Sequence, residues 1–172
     1  MAHVGGAVNT GELARVVLIG IGATAIVDLW SIARKQLFNV PLPNFGFVGR
    51  WFAHMTHGQF RHDSIAAAPA IAGERLLGWT AHYLIGIAFA GLLVAFEGVA
   101  WMREPTAGPA IAVGIVTAVF PFLLMQPGMG AGFAASRTPD PPMARVQALA
   151  THAIFGLGLF VTAWLADILY PT

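Results

Sequence analysis

Three ionisable side chains fall inside apolar stretches of this chain: Asp28, His82 and His152. An ionisable group within a hydrocarbon layer costs several kcal/mol on insertion scales, so each needs a compensating role. Imidazole nitrogen and carboxylate oxygen together suit iron, zinc or copper, which makes a transition-metal site one candidate chemistry. Two imidazoles on facing helices could instead hold a haem between them. The same groups could form a proton or small-ion relay, because histidine titrates near neutral pH. Simple hydrogen bonding competes with all three, since a membrane histidine bonded across helices contributes about 1 kcal/mol. Asp28 could likewise be satisfied by a neighbouring backbone amide or by Trp30.

A second group of candidates surrounds these. His62 and Asp63 lie in the run Arg61-His62-Asp63-Ser64, and His54 and His57 are spaced to share one face of a helix. Arg75 and Arg145 each precede one of the membrane histidines by seven residues, which sets both imidazoles about 10 Å along their helices. Both arginines are expected to mark helix entrances and to extend their charged ends toward lipid headgroups. Ser64, His62 and Asp63 have the composition of a hydrolytic set, yet adjacent residues rarely face one another. The chain has no Gly-rich phosphate loop, no Gly-x-Ser-x-Gly elbow and no His-Glu-x-x-His pair. No catalytic residue is assigned.

The elements that position these groups follow from composition. Of 172 residues, 57% are hydrophobic and 10% charged, with mean hydropathy +0.71. Soluble domains carry about 25% charged residues, so this chain has too little polar surface to face water throughout. The net charge of +1 provides no concentrated basic face for nucleic acid, and the lack of cysteine removes disulfides and thiolate metal sites. The segment Met1 to Leu13 has no Lys or Arg, and the apolar run continues past the length of a signal sequence, so no cleaved leader is expected.

Four stretches approach the roughly 20 residues needed to cross a bilayer as α-helices: 13–33, 76–99, 109–125 and 146–169. The first opens with a cap-like Asn9-Thr10-Gly11-Glu12. The third contains Pro121, which removes a backbone bond and should kink it. Pro141-Pro142 leads into the fourth. The expected fold is an all-α, four-helix membrane bundle forming one integral membrane domain over residues 1–172.

Seven basic residues (Arg34, Lys35, Arg50, Arg61, Arg75, Arg137 and Arg145) lie in or beside the first and third connections. Only Arg15 and Arg103 lie on the opposite side. The positive-inside bias then puts the first and third connections in the cytoplasm and both termini outside. The first connection places Phe38, Phe45, Phe47, Trp51, Phe52 and Phe60 among few charges, a pattern expected of a short helix lying at the headgroup level. The run 65–72 is too short to span and is expected either to dip toward the bilayer or to form an ordinary loop.

A shift of 70 residues superimposes Arg75, His82 and Gly86 on Arg145, His152 and Gly156. The shared pattern Arg-x6-His-x3-Gly suggests two parallel two-helix halves, and binding sites of membrane proteins tend to lie between such repeats.

Several strings resemble an uncharacterised family of small bacterial inner-membrane proteins, a domain of unknown function. They are Asp28-Leu29-Trp30, Phe60-Arg61-His62-Asp63-Ser64-Ile65, Gly73-Glu74-Arg75-Leu76-Leu77-Gly78-Trp79, His82-Tyr83-x-Ile85-Gly86, Ala135-Ser136-Arg137-Thr138-Pro139 and Thr151-His152-Ala153-x-Phe155-Gly156. The resemblance covers about residues 12 to 168 and implies a bacterial inner membrane and four helices. It implies no activity.

The expected function is binding of a metal, a haem or a small polar ligand in a cavity of the cytoplasmic half, lined by Asp28, His82 and His152. A proton-linked permease is the alternative, with a homo-oligomer formed along glycine-rich faces. A further alternative is an accessory subunit of a larger membrane complex.

Overall fold

The computed structural model describes residues 9–169. The leader through residue 8, including His3, and residues 170–172 lie outside the described residues. Helix α1 spans Thr10–Phe38, α2 Phe45–Met55, α3 Glu74–Glu97, α4 Ala107–Met129 and α5 Pro141–Leu169. Helices α1, α3, α4 and α5 are each long and apolar enough to cross a bilayer. The fold is therefore the expected all-helical bundle, and its four apolar helices fit a multi-pass membrane protein.

Local signals account for the boundaries. Asn9 caps α1 through a reciprocal box, its side chain accepting from the Glu12 amide while Glu12 accepts from the Asn9 amide, both at 2.9 Å. Asn39 ends α1 in the left-handed conformation at φ 53°, and its side chain accepts from Lys35 at 2.8 Å. Helix α5 begins on Pro141, where a missing N–H costs nothing, and Asp140 accepts from the Met143 amide at 3.1 Å. In α4, Pro121 cannot bond back to the Thr117 carbonyl, which accepts from the Phe120 amide at 3.1 Å instead. The next residues, Pro121–Met125, widen to a π turn that closes on the Pro121 carbonyl.

Small residues let the spans touch backbone to backbone. Gly20 of α1 lies against Gly86 and Ile87 of α3, while Gly114 and Gly156 bring α4 against α5. Helices α1 and α5 join the two pairs, with Gly22 against Thr162 and Ala23 against Gly158. The repeat is thus echoed in packing, since Gly86 and Gly156 sit at corresponding crossings. Gly20, Gly22, Gly86, Gly156 and Gly158 all face neighbouring helices of the same chain.

A Cβ on Gly156 would stand 2.6 Å from the Ala110 carbonyl oxygen. Gly156→Val should therefore destabilise the bundle by about 3 kcal/mol. Gly108→Ala, whose added Cβ meets nothing within 4 Å, should be neutral. Thermal unfolding in mild detergent checks the contrast, and equal melting temperatures would contradict the described crossing.

Ile19, Ala23, Leu93, Leu159 and Ala163 form the centre of the core. The outer faces display Leu29, Leu76, Phe96, Val116 and Leu169, the arrangement lipid favours. Arg15 of α1 bonds the Met102 carbonyl at 3.4 Å and lies 3.7 Å from Asp167 of α5. The start of α1, the end of α5 and the second connection thus meet at one end of the bundle. At the other, His62 and Ile65 donate amide hydrogens to Gly128 and Met129 at 2.9 and 3.0 Å, which ties the first connection to the third.

Candidate functional site

Two of the three membrane candidates come together. Asp28 projects from α1 toward α3, where His82 Nε2 lies 3.0 Å from Oδ1 and Tyr83 donates its hydroxyl to Oδ2 at 2.8 Å. The Asp28 and His82 side chains are each 18% exposed. Phe45, the first residue of α2, stacks on the His82 ring at 4.1 Å, and Trp79 meets its edge at 5.8 Å. One face of the imidazole is thus walled by aromatic carbon while Nε2 faces the carboxylate. Asp28 bonds neither a backbone amide nor Trp30, whose indole nitrogen is buried without a partner.

His152 takes a different place. Its Nδ1 lies 3.1 Å from both the Thr117 hydroxyl and the Gly114 carbonyl of α4. Each repeat histidine therefore bonds across its own helix pair, His82 to α1 and His152 to α4. The expected set of Asp28, His82 and His152 is not assembled, and no group of three or more His, Asp or Glu placed to hold a metal occurs among the described residues. The shared spacing from Arg75 and Arg145 does not fix helix rotation, and rotation decides where the two histidines point. Protein purified in mild detergent should accordingly carry the same iron, zinc and copper content as His82→Ala/His152→Ala. Elemental analysis checks this, and stoichiometric metal lost in the double variant would contradict it.

The second group divides too. Helix α2 ends at Met55, so His57 lies beyond it and shares no helical face with His54; its Nδ1 sits 3.2 Å from the Ala53 carbonyl. His54 bridges the Gln59 side chain and the Pro69 carbonyl, both at 3.0 Å, and meets the His62 ring edge to face at 5.0 Å. His62 is buried, with Nδ1 3.4 Å from the Gly128 carbonyl. Asp63 and Ser64 are exposed, and no hydrogen bond joins them to His62. Arg75 is exposed, whereas Arg145 donates to the Ala134 carbonyl at 2.8 Å and ties α5 to the third connection.

What holds the first connection in place is Arg50, counted in the sequence only as a loop charge. Its guanidinium forks onto Glu74, with Nε and Nη2 each 2.7 Å from a carboxylate oxygen. Nη1 donates to the Ile65, Ala66 and Ala68 carbonyls at 3.1, 3.4 and 2.9 Å. Glu74 also accepts from the Ile71 amide at 2.9 Å. This bond set explains why the run 65–72 forms turns around a cation and not a dipping helix. The hydrogen bonds that Arg50 donates to the Glu74 carboxylate raise the Arg50 pKa above its ordinary value. Gly49 and Gly78 let α2 press directly on the start of α3, which carries Phe45 onto His82. A lone arginine among Phe47, Trp51 and Phe52 was the available signal, because a cation in apolar surroundings needs an acceptor.

Four buried polar atoms at this end of the bundle have no hydrogen-bond partner: Trp30 Nε1, Arg34 Nε, His62 Nε2 and Gln126 Oε1. Arg34 instead covers the Trp30 ring, 5.8 Å from its centroid.

The family model described as "Protein of unknown function (DUF2938)" matches residues 17–166, and the chain belongs to that family. Neither the curated proteins nor the solved structures provide a match.

Proposed function

We propose, for this member of a family without an assigned activity, a bilayer-embedded binding protein that exchanges a proton for a small cation at Asp28, His82 and Tyr83. The supporting observation is a carboxylate inside an apolar span, bonded by an imidazole and a phenol and still partly exposed. The Asp28 carboxylate lies in surroundings of low dielectric, where a proton or a cation at the cluster would offset its charge. The aromatic rings of Phe45 and Trp79 favour a cation beside the imidazole, since a ring face attracts positive charge. The unpartnered Trp30, Arg34 and Gln126 atoms support a polar approach from the end formed by the first and third connections. The seven basic residues on that side support a cytoplasmic orientation for it.

Transport is a second reading, favoured by the two glycine-packed helix pairs that repeat the Arg-x6-His-x3-Gly pattern. Proteoliposomes with an internal pH dye test both readings, using sodium, potassium and ammonium as probes against an imposed pH gradient. Cation-dependent proton movement that is absent in Asp28→Asn is the expected result for transport. Binding without transport predicts a protonated-carboxyl infrared band that disappears in the same variant. Silence in both measurements would end the proposal.

A further inference from the structure

Where the first and third connections meet, Gln59, Arg61, His62, Ser64, Pro127 and Arg137 line an open cleft of about 480 Å³. Arg61 comes from one connection and Arg137 from the other. Both are exposed, and neither guanidinium has a hydrogen bond or ion pair among the described residues. Their backbones are nonetheless pinned. The amide next to Arg61, that of His62, bonds Gly128, and the Arg137 amide donates to the Ala131 carbonyl at 2.8 Å. His62 contributes an imidazole 9% exposed, with Nε2 lacking a partner.

We propose that this cleft binds a phosphate group, either in the headgroup of an anionic lipid or free in solution. Two unpaired guanidiniums, carried on separate loops whose backbones are anchored, present planar donor forks that match phosphate oxygens. Ser64 adds a hydroxyl donor at the same cleft. Trp51 of the aromatic helix α2 packs on Gly128 and donates its indole N–H to the Phe60 carbonyl at 2.9 Å, which brings the cleft beside the segment suited to the headgroup level. Asp63 also lines the cleft, and its carboxylate opposes an anion. The site therefore predicts opposite signs for neighbouring substitutions. It uses none of the residues of the Asp28 cluster and stands apart from that reading.

The full chain in mild detergent would be titrated with inorganic phosphate by calorimetry. Separately it would be titrated with short-chain phosphatidylglycerol, with phosphatidylcholine as the comparison lipid, by native mass spectrometry. Binding should weaken about fivefold or more in Arg61→Gln and in Arg137→Gln, strengthen in Asp63→Asn, and remain unchanged in Arg75→Gln, an exposed arginine outside the cleft. Phosphate bound as tightly as the lipid identifies the free anion as the ligand, and preference for phosphatidylglycerol identifies the headgroup. Failure of both probes to bind wild type overturns the proposal. So does equal weakening by Arg75→Gln, which would reduce the effect to net charge. Melting temperatures of the variants, expected to match wild type because the side chains are unpaired, exclude a folding defect as the cause.

Discussion

Arg50→Ala should lower the apparent melting temperature of the detergent-solubilised protein by roughly 10 °C or more, the largest stability effect of any single substitution in the first connection. The side chain is buried and bonds two carboxylate oxygens and three backbone carbonyls. Truncation leaves Glu74 without its cation and removes a donor from the carbonyls of Ile65, Ala66 and Ala68, of which Ile65 still accepts from the Ala68 amide at 3.3 Å. Arg50→Lys keeps the charge but presents a point cation where a fork is required, so it should fall between wild type and alanine. The defect should spread along the structure. Phe45 begins the helix that carries Arg50, and loss of that helix removes the ring stacked on His82. Limited proteolysis between residues 56 and 72 should accelerate in Arg50→Ala. A variant with unchanged melting temperature and unchanged cleavage would show that the first connection is held by apolar contacts alone.

Asp28→Asn should reduce the proposed proton–cation exchange of the reconstituted protein by a hundredfold or more while changing stability little. Asparagine retains an acceptor oxygen for Tyr83 or His82, so the lost hydrogen-bond energy is about 1 kcal/mol. The charge, however, is gone, and with it the group that a proton or cation would compensate. Tyr83→Phe removes one of the two bonds to the carboxylate and should produce a smaller loss, roughly tenfold, because His82 still orients Asp28. His152→Ala should leave activity near wild type, since its partners are Thr117 and the Gly114 carbonyl in the other helix pair. Initial rates of dye response in proteoliposomes, paired with melting temperatures, separate these cases. Equal losses for Asp28→Asn and His152→Ala would mean that the two repeats act as one site, contrary to the geometry.

How much of this was legible beforehand depends on the physical origin of each feature. Span number follows from composition, because about 20 apolar residues must cross a bilayer whatever they pack against. The box at Asn9 and Glu12 and the break at Pro121 are local, set by hydrogen-bond donors within four residues. The grouping of the first and third connections at one end follows from counting spans. The repeat was visible in Arg-x6-His-x3-Gly, and the structure extends it to corresponding glycine crossings at Gly86 and Gly156. Sequence alone therefore determined four spans, their boundaries to within a few residues, and which residue types would be costly to bury. Tertiary structure decided the rest: that Asp28 meets His82 and Tyr83, that His152 turns to Thr117, and that Arg50 finds Glu74 across 24 residues of chain. The reason is rotational. Hydrophobic periodicity can orient a helix when one side faces water, but a membrane helix is apolar on its lipid face as well, so its rotation is set by the glycines that let a neighbour approach.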